Sequence, residues 1–196
     1  MGKKRGQKFD LIINAAVKVI AQNGYHHSQV SKIAKEAGVA DGTIYLYFKN
    51  KEDILISLFE EKMGLFVEKS KEQLTKDLTI EEKLLLLIEM HLRQLEADHN
   101  LAIVTQLEIR QSNIQLRSRI NKVLKGYLGL IDTILLEGMD NGFFPKSLDH
   151  RLARQVIFGA IDEVVTNWVM KEHRYELVPL AKPLCNMLLT GLKSNN

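Results

Sequence analysis

Proline is almost missing from this chain of 196 residues: the first 144 contain none, and the only three are Pro145, Pro179 and Pro183. Every residue up to position 144 therefore keeps its backbone N–H, and no pyrrolidine ring interrupts a helix there. A single cysteine, Cys185, rules out an internal disulfide and fits a reducing compartment. Set among Leu184, Met187 and Leu188, it reads as a packed apolar thiol. No apolar run approaches the roughly 20 residues of a membrane span. Met1 and Gly2 are followed by basic residues and an amphipathic pattern, not by an apolar segment with a cleavage site, so no secretory signal is expected. The chain reads as soluble and cytoplasmic. Gly-x-Ser-x-Gly, His-Glu-x-x-His, a glycine loop for phosphate and a Cys–His pairing are all missing, so an enzyme is not expected. His26, His27, His91, His99, His150 and His173 form no metal-ligand spacing, and no metal is expected either.

What is abundant is helix-forming. Apolar residues make up 45%, with Leu, Ile, Lys, Glu and Ala prominent, which points to an all-α fold. Charge is unevenly placed. Residues 1–51 hold nine Lys and Arg, including Lys3, Lys4 and Arg5, against the three acids Asp10, Glu36 and Asp41, a net of +6. The remainder has 18 bases and 21 acids, a net of −3. A basic head on a slightly acidic body suits an end that binds a polyanion.

Helical periodicity predicts a first helix over Phe9 to Asn23, stopped at Gly24. Ser28 is placed to cap a second helix that turns Ile33, Ala34 and Ala37 inward, and Gly38 permits a sharp turn. A third helix starts at Ala40 or Asp41 and buries Ile44 and Phe48. Asn50 caps a fourth, with Glu52 and Asp53 in its first turn, running toward residue 76. Thr79 and Glu82 match a capping box at the start of a fifth helix over 80–97. Further helices are expected near 101–110, 113–141, 150–172 with Asp149 as cap, and 177–193. The last two are too apolar to leave a face in water. Burial within one subunit would answer that, as would packing against a second copy; a homodimer through helices eight and nine is the expectation.

Two short helices joined by a glycine turn, the second bearing exposed Thr and Tyr and ending in lysines, suit a helix-turn-helix entering a major groove. The stretch GVADGTIYLYFKNKEDIL at 38–55, preceded by Ile33 and Ala34, resembles the DNA-binding head of the TetR family of bacterial repressors. The resemblance implies a two-fold dimer of nine-helix subunits on a palindromic operator in double-stranded DNA. Each subunit would have a three-helix head at 1–50 and a ligand-binding and dimerisation body at 51–196. It further implies that Ser31, Lys32, Gly42, Thr43, Tyr45, Tyr47 and Lys49 face DNA and that Lys51 meets a phosphate. Ala40 departs from the serine common in the family, and Asp41 brings a carboxylate toward the groove, which capping or a cytosine amino group would accommodate.

Within the family, NLAIVTQLEIRQSN at 100–113, VLKGYL at 123–128 and RLARQVIFGAIDEVVTNWVM at 151–170 are similar to repressors of fatty acid degradation in bacilli. That similarity implies repression of β-oxidation genes and release from DNA by long-chain acyl-CoA. Such an effector needs cations for its phosphates and an apolar channel for its chain. Arg110, Arg117, Arg119, Lys122 and Lys125 against Glu108 give residues 106–125 a net of +4. The first four are the phosphate candidates, and lying in the body they are expected to be remote from the operator; an ordinary solvated helix face would look the same. Phe66, Leu86, Met90, Ile103, Leu107, Tyr127, Ile131, Phe158 and Trp168 are candidates to line the channel, though plain core would also use them. Asn167 is a candidate to orient a thioester or adenine, or a dimer-interface amide. Gly126, Gly129 and Gly159, each costing about 1 kcal/mol in a helix relative to Ala, would suit close helix contact or ligand room. A drug, a terpenoid or another signal molecule is the competing effector, for which the basic run would serve no purpose.

Overall fold

The structure, a computed structural model, describes residues 6–75 and 77–192. Lys3, Lys4 and Arg5, and the expected end of the last helix at Lys193, lie outside the described residues. Nine α-helices occur among the described residues: α1 Gln7–His27, α2 Val30–Glu36, α3 Asp41–Ile44, α4 Lys51–Gln73, α5 Ile80–Ala97, α6 His99–Glu108, α7 Ile114–Asp140, α8 His150–Met170 and α9 Ala181–Leu192. A 3-10 turn, Val178–Leu180, leads into α9. No helix among the described residues is long and apolar enough to cross a membrane.

By compactness the chain forms two units, and their limits differ from the expected cut at residue 50. The first holds residues up to Lys62 together with Asn100–Val123; the second holds Met63–His99 and residues from Leu124 onward. The chain passes between them within α4, at the first residue of α6 and within α7.

In the first unit, α1 packs on α2 and α2 on α3, and Ile12, Ile13, Ala16, Ile20, Ile33, Ala34, Ile44, Phe48, Ile54, Leu55 and Phe59 are all buried. The Phe9 and Phe48 rings stack with centroids 5.2 Å apart. Burying each large side chain contributes about 1.5–3 kcal/mol, so this core fixes α2 and α3 against α1. Helical geometry in α1 breaks at Gly24, whose φ of 72° a side chain rarely adopts, as the sequence predicts. Ser28 does something other than cap α2. Its hydroxyl turns back to the carbonyls of Gly24 at 2.7 Å and Val19 at 3.2 Å, closing the end of α1. Gln29 takes the N-cap position of α2 with no side-chain bond, because Ser28 is already committed to the preceding helix. Asn50 does cap α4, its Oδ1 accepting from Asp53 N–H at 2.9 Å.

In the second unit, α5 packs on α9, and α8 packs on both. Leu87, Ile88, Leu92, Ile131, Leu135, Ile157, Ile161 and Val165 are fully buried. The capping box opening α5 is present, with Thr79 and Glu82 bonded reciprocally. Gly138 sits where a Cβ would come within 2.5 Å of the Phe144 ring, so the chain after α7 folds back only because that residue has no side chain. Glu96 accepts the N–H groups of Leu177 and Val178 before Pro179, which explains why α9 proper starts at Ala181 and not at 177. Helix α9 buries one stripe, Ala181, Leu184, Cys185, Leu188 and Leu189, and leaves Met187 67% exposed.

Candidate functional site

The recognition surface is what remains after the first unit has buried its apolar residues. Gly38, at φ +66°, makes the turn after α2, and Val39 N–H bonds to Ala34 O at 3.0 Å. Ile44 and Phe48 then point inward, which leaves Ser31, Lys32, Gly42, Tyr45 and Lys49 exposed on the outer side of α2, α3 and the turn that follows. Thr43 and Tyr47 are half-buried at the margin of this surface. Tyr45 is 59% and Leu46 74% exposed, large side chains that no described residue covers. Ala40 holds the N-cap position of α3 and offers no side-chain bond, as its methyl group requires; Asp41 follows as the first helical residue and is exposed.

Lys51 has a structural duty the sequence does not advertise. Its ammonium donates to the carbonyls of Tyr25 and His26, both at 3.0 Å, and lies 4.5 Å from the Tyr25 ring centroid. It closes the C-terminal end of α1, where free carbonyls attract a cation. Asp53, buried in α4, accepts from Lys49 N–H at 3.1 Å and pairs with Arg119 at 3.5 Å. Glu108 accepts from Tyr25 N–H at 2.8 Å and from the Gln111 amide at 2.7 Å. Burial, reinforced by Glu52 and Glu108, pushes the Tyr25 phenol up to about 12.

Those two contacts correct one expectation. The basic run is not remote from the DNA-reading helices: Arg110, Arg117, Arg119 and Lys122 belong to the same compact unit as the head. Arg110, Arg117 and Lys122 are exposed, while Arg119 is half-buried against Asp53.

Phe66, Tyr127 and Phe158 meet in the second unit, with the Tyr127 ring 5.5 Å from Phe66 and 5.8 Å from Phe158. His91, weighed in the sequence only as a metal ligand, completes this box at 5.3 Å from Tyr127 and 5.9 Å from Phe66. Ile131 is buried, and Leu86 and Met90 are half-buried, in the same unit. Ile103 and Leu107 belong to the first unit, where Leu107 is half exposed. Trp168 serves a separate cluster: its indole N–H donates to Tyr175 O at 2.7 Å and its ring packs on His99 and His173. Asn167 is exposed on α8. Of the three glycines, Gly126 lies under Val67, whose methyl would be 3.4 Å from an added Cβ; Gly129 and Gly159 have open space. Among the described residues no group of three or more His, Cys, Asp or Glu could hold a metal ion.

Residues 12–58 match the bacterial regulatory proteins of the tetR family, and residues 59–191 match the C-terminal region of YsiA-like proteins of the same family. The chain belongs to the TetR family. It is therefore a transcription regulator, with a family-type DNA-binding head and an all-α body. It is 60% identical to the fatty acid metabolism regulator protein of Bacillus subtilis, over 97% of this chain and 98% of that one. Among solved structures it is similar to the fatty acid degradation regulator FadR of Bacillus halodurans, with 63% identity and a TM-score of 0.91 over 94% of this chain and all of that one. FadR of Bacillus subtilis in complex with stearoyl-CoA gives 61% identity and a TM-score of 0.92, over 94% and 99% of the two chains.

Proposed function

We propose that this TetR-family regulator is a cytoplasmic repressor of fatty acid degradation genes that leaves its operator when long-chain acyl-CoA binds. The reading is carried by the exposed face of Ser31, Lys32, Gly42, Tyr45 and Lys49, held in one orientation by a buried core. Thr43 and Tyr47 contribute from its margin, and Lys51 approaches a phosphate from the end of α1 that it already closes. The likeness to the fatty acid regulators of bacilli supports the choice of genes and effector.

Two copies associate through α8 and α9. Leu152, Val156 and Met187 stand at half exposure or more and line, with Gly191, an apolar groove of about 280 Å3. An apolar face of this kind on a two-helix layer suits a second copy of itself. The dimer would present its two α3 helices to half-sites about 34–36 Å apart.

Arg110, Arg117, Arg119 and Lys122 take the effector's phosphates, and the Phe66, Tyr127 and Phe158 box takes part of its apolar portion. Coupling runs through Arg119. A phosphate competes with Asp53 for its guanidinium, and Asp53 also holds Lys49 N–H at the end of the recognition element. The effector weakens DNA binding only by as much as its affinity differs between the two states.

Fluorescence anisotropy of the full chain on DNA from its own promoter region tests this. Affinity falls steeply with salt and stearoyl-CoA lowers it further. Neutralising Arg110, Arg117 and Lys122 to Gln removes the effect of stearoyl-CoA. Release by stearoyl-CoA that survives those three changes would refute the phosphate assignment. Failure to bind promoter DNA at any salt would refute the whole reading.

A further inference from the structure

Tyr127 is fully buried, and its hydroxyl has no hydrogen-bond partner among the described residues. The same is true of His91 Nε2. Both atoms belong to one aromatic box, with ring centroids 5.3 Å apart and Phe66 and Phe158 against Tyr127. Native proteins rarely tolerate this. A buried polar atom without a partner costs about 1–3 kcal/mol, and two on rings packed against the same Phe66 ring double that cost. An apolar pair, Phe and Leu, would fill the space without it. Two unpartnered polar groups on neighbouring rings point to a polar partner for them.

The chemistry of the two groups restricts that partner. Burial, with the Asp162 carboxylate nearby, raises the Tyr127 phenol, so it remains a hydrogen-bond donor at any physiological pH. Burial pulls the His91 imidazole down to about 4, so it is neutral and carries one ring proton. A partner for the Tyr127 hydroxyl is therefore a neutral acceptor, set beside the Phe66 and Phe158 rings. A carboxylate fits poorly, since it would bring a second negative charge toward Asp162.

We propose that Tyr127, seconded by His91 through Nε2–H, donates to the thioester carbonyl of the bound acyl-CoA. The inference rests on the acyl-CoA reading above and assigns the residues that recognise the acyl linkage itself. The thioester is the polar group that directly adjoins the acyl hydrocarbon of such an effector, and its carbonyl oxygen carries two lone pairs. These two donors make the protein distinguish an acylated coenzyme from an alkylated or free-acid lipid of equal length.

The test compares stearoyl-CoA with its S-octadecyl thioether, which replaces the carbonyl by a methylene, using titration calorimetry on the full-length chain. The wild type is expected to bind the thioester about tenfold more tightly, a single buried hydrogen bond's worth at 1.4 kcal/mol. Tyr127→Phe keeps the ring and should lose most of this preference, keeping only the part that His91 supplies. An unchanged preference in Tyr127→Phe, or no preference in the wild type, overturns the inference while leaving the acyl-CoA reading intact. If the wild type binds neither ligand, that reading fails and takes the inference with it. A readout that needs no variant is the infrared stretch of stearoyl-CoA labelled with 13C at the carbonyl. It should move to lower frequency on binding, and a stretch at or above its value in an apolar solvent would contradict the proposal.

Discussion

In the unit that carries the helix-turn-helix, buried Ser28, Asp53 and Gln111 each have partners: two carbonyls for Ser28, Lys49 N–H and Arg119 for Asp53, and Glu108 for Gln111. In the second unit, Ser70, His91, Tyr127, Asp132 and His173 each hold a buried polar atom with no partner among the described residues. No residue of the first unit shares that condition among those described. The difference separates two tasks. A surface that must match a duplex requires its side chains set in advance, and satisfied polar groups provide that rigidity. The second unit keeps part of its hydrogen-bonding capacity unused among the described residues, at a cost in stability.

The largest expected effect breaks the satisfied side. Asp53→Ala deprives Lys49 N–H of its acceptor and Arg119 of its partner, and should cost about 2–3 kcal/mol in urea unfolding. A loss below about 0.5 kcal/mol would mean that Asp53 does not organise the head. On the other side, the neutral His91 makes the second unit sensitive to acid. Its folded value of about 4 lies below the ordinary 6.5, so the unfolded chain binds the extra proton first. Its contribution is intact above 6.5 and is lost as pH falls toward 4. Between pH 6.5 and 5 the loss is about 2 kcal/mol, and His91→Phe should remove it from the pH profile of the unfolding midpoint. Parallel profiles for the two proteins would show that the imidazole reaches water. A smaller effect is expected for Glu108→Ala, which leaves Tyr25 N–H without its acceptor and the Gln111 amide with only the Glu108 backbone carbonyl, at about 1–2 kcal/mol. The Tyr25 phenol should then titrate nearer its ordinary value in an ultraviolet titration, since one of the carboxylates raising it is gone.

How far each region could be read in advance follows the same division. Local signals carried the head: Gly24 and Gly38 at positive φ, Asn50 as a cap, and Ile33, Ala34, Ile44 and Phe48 at helical spacing, all within residues 24–50. The capping box at Thr79 and the Asp149 cap are equally local. What stayed hidden depends on partners far along the chain. Glu108 meets Tyr25 across 83 residues and Arg119 meets Asp53 across 66, so no window of sequence joins them. Ser28 has the right type for an N-cap, and the choice between capping α2 and closing α1 is made by the carbonyls of Val19 and Gly24. Trp168 and Tyr127 are both aromatic residues in apolar helices. Only packing reveals that the indole is satisfied by Tyr175 O while the phenol is left without a partner.

The smallest effects sharpen the comparison most, because one substitution is made on both sides of it. Ser28 and Ser70 are both buried at 1% exposure or less, so Ser→Ala removes the same oxygen from equally dry surroundings. At Ser28 that oxygen holds the turn through Gly24 O at 2.7 Å, and its loss should cost about 1 kcal/mol. At Ser70 the hydroxyl bonds to nothing among the described residues, so removal relieves a desolvated group and should be neutral or stabilising by up to about 1 kcal/mol. Thermal unfolding of the two variants beside the parent reads the sign directly. Equal losses would mean that the Ser70 hydroxyl finds a partner, most simply an ordered water, and that the second unit is no less satisfied at that position than the first.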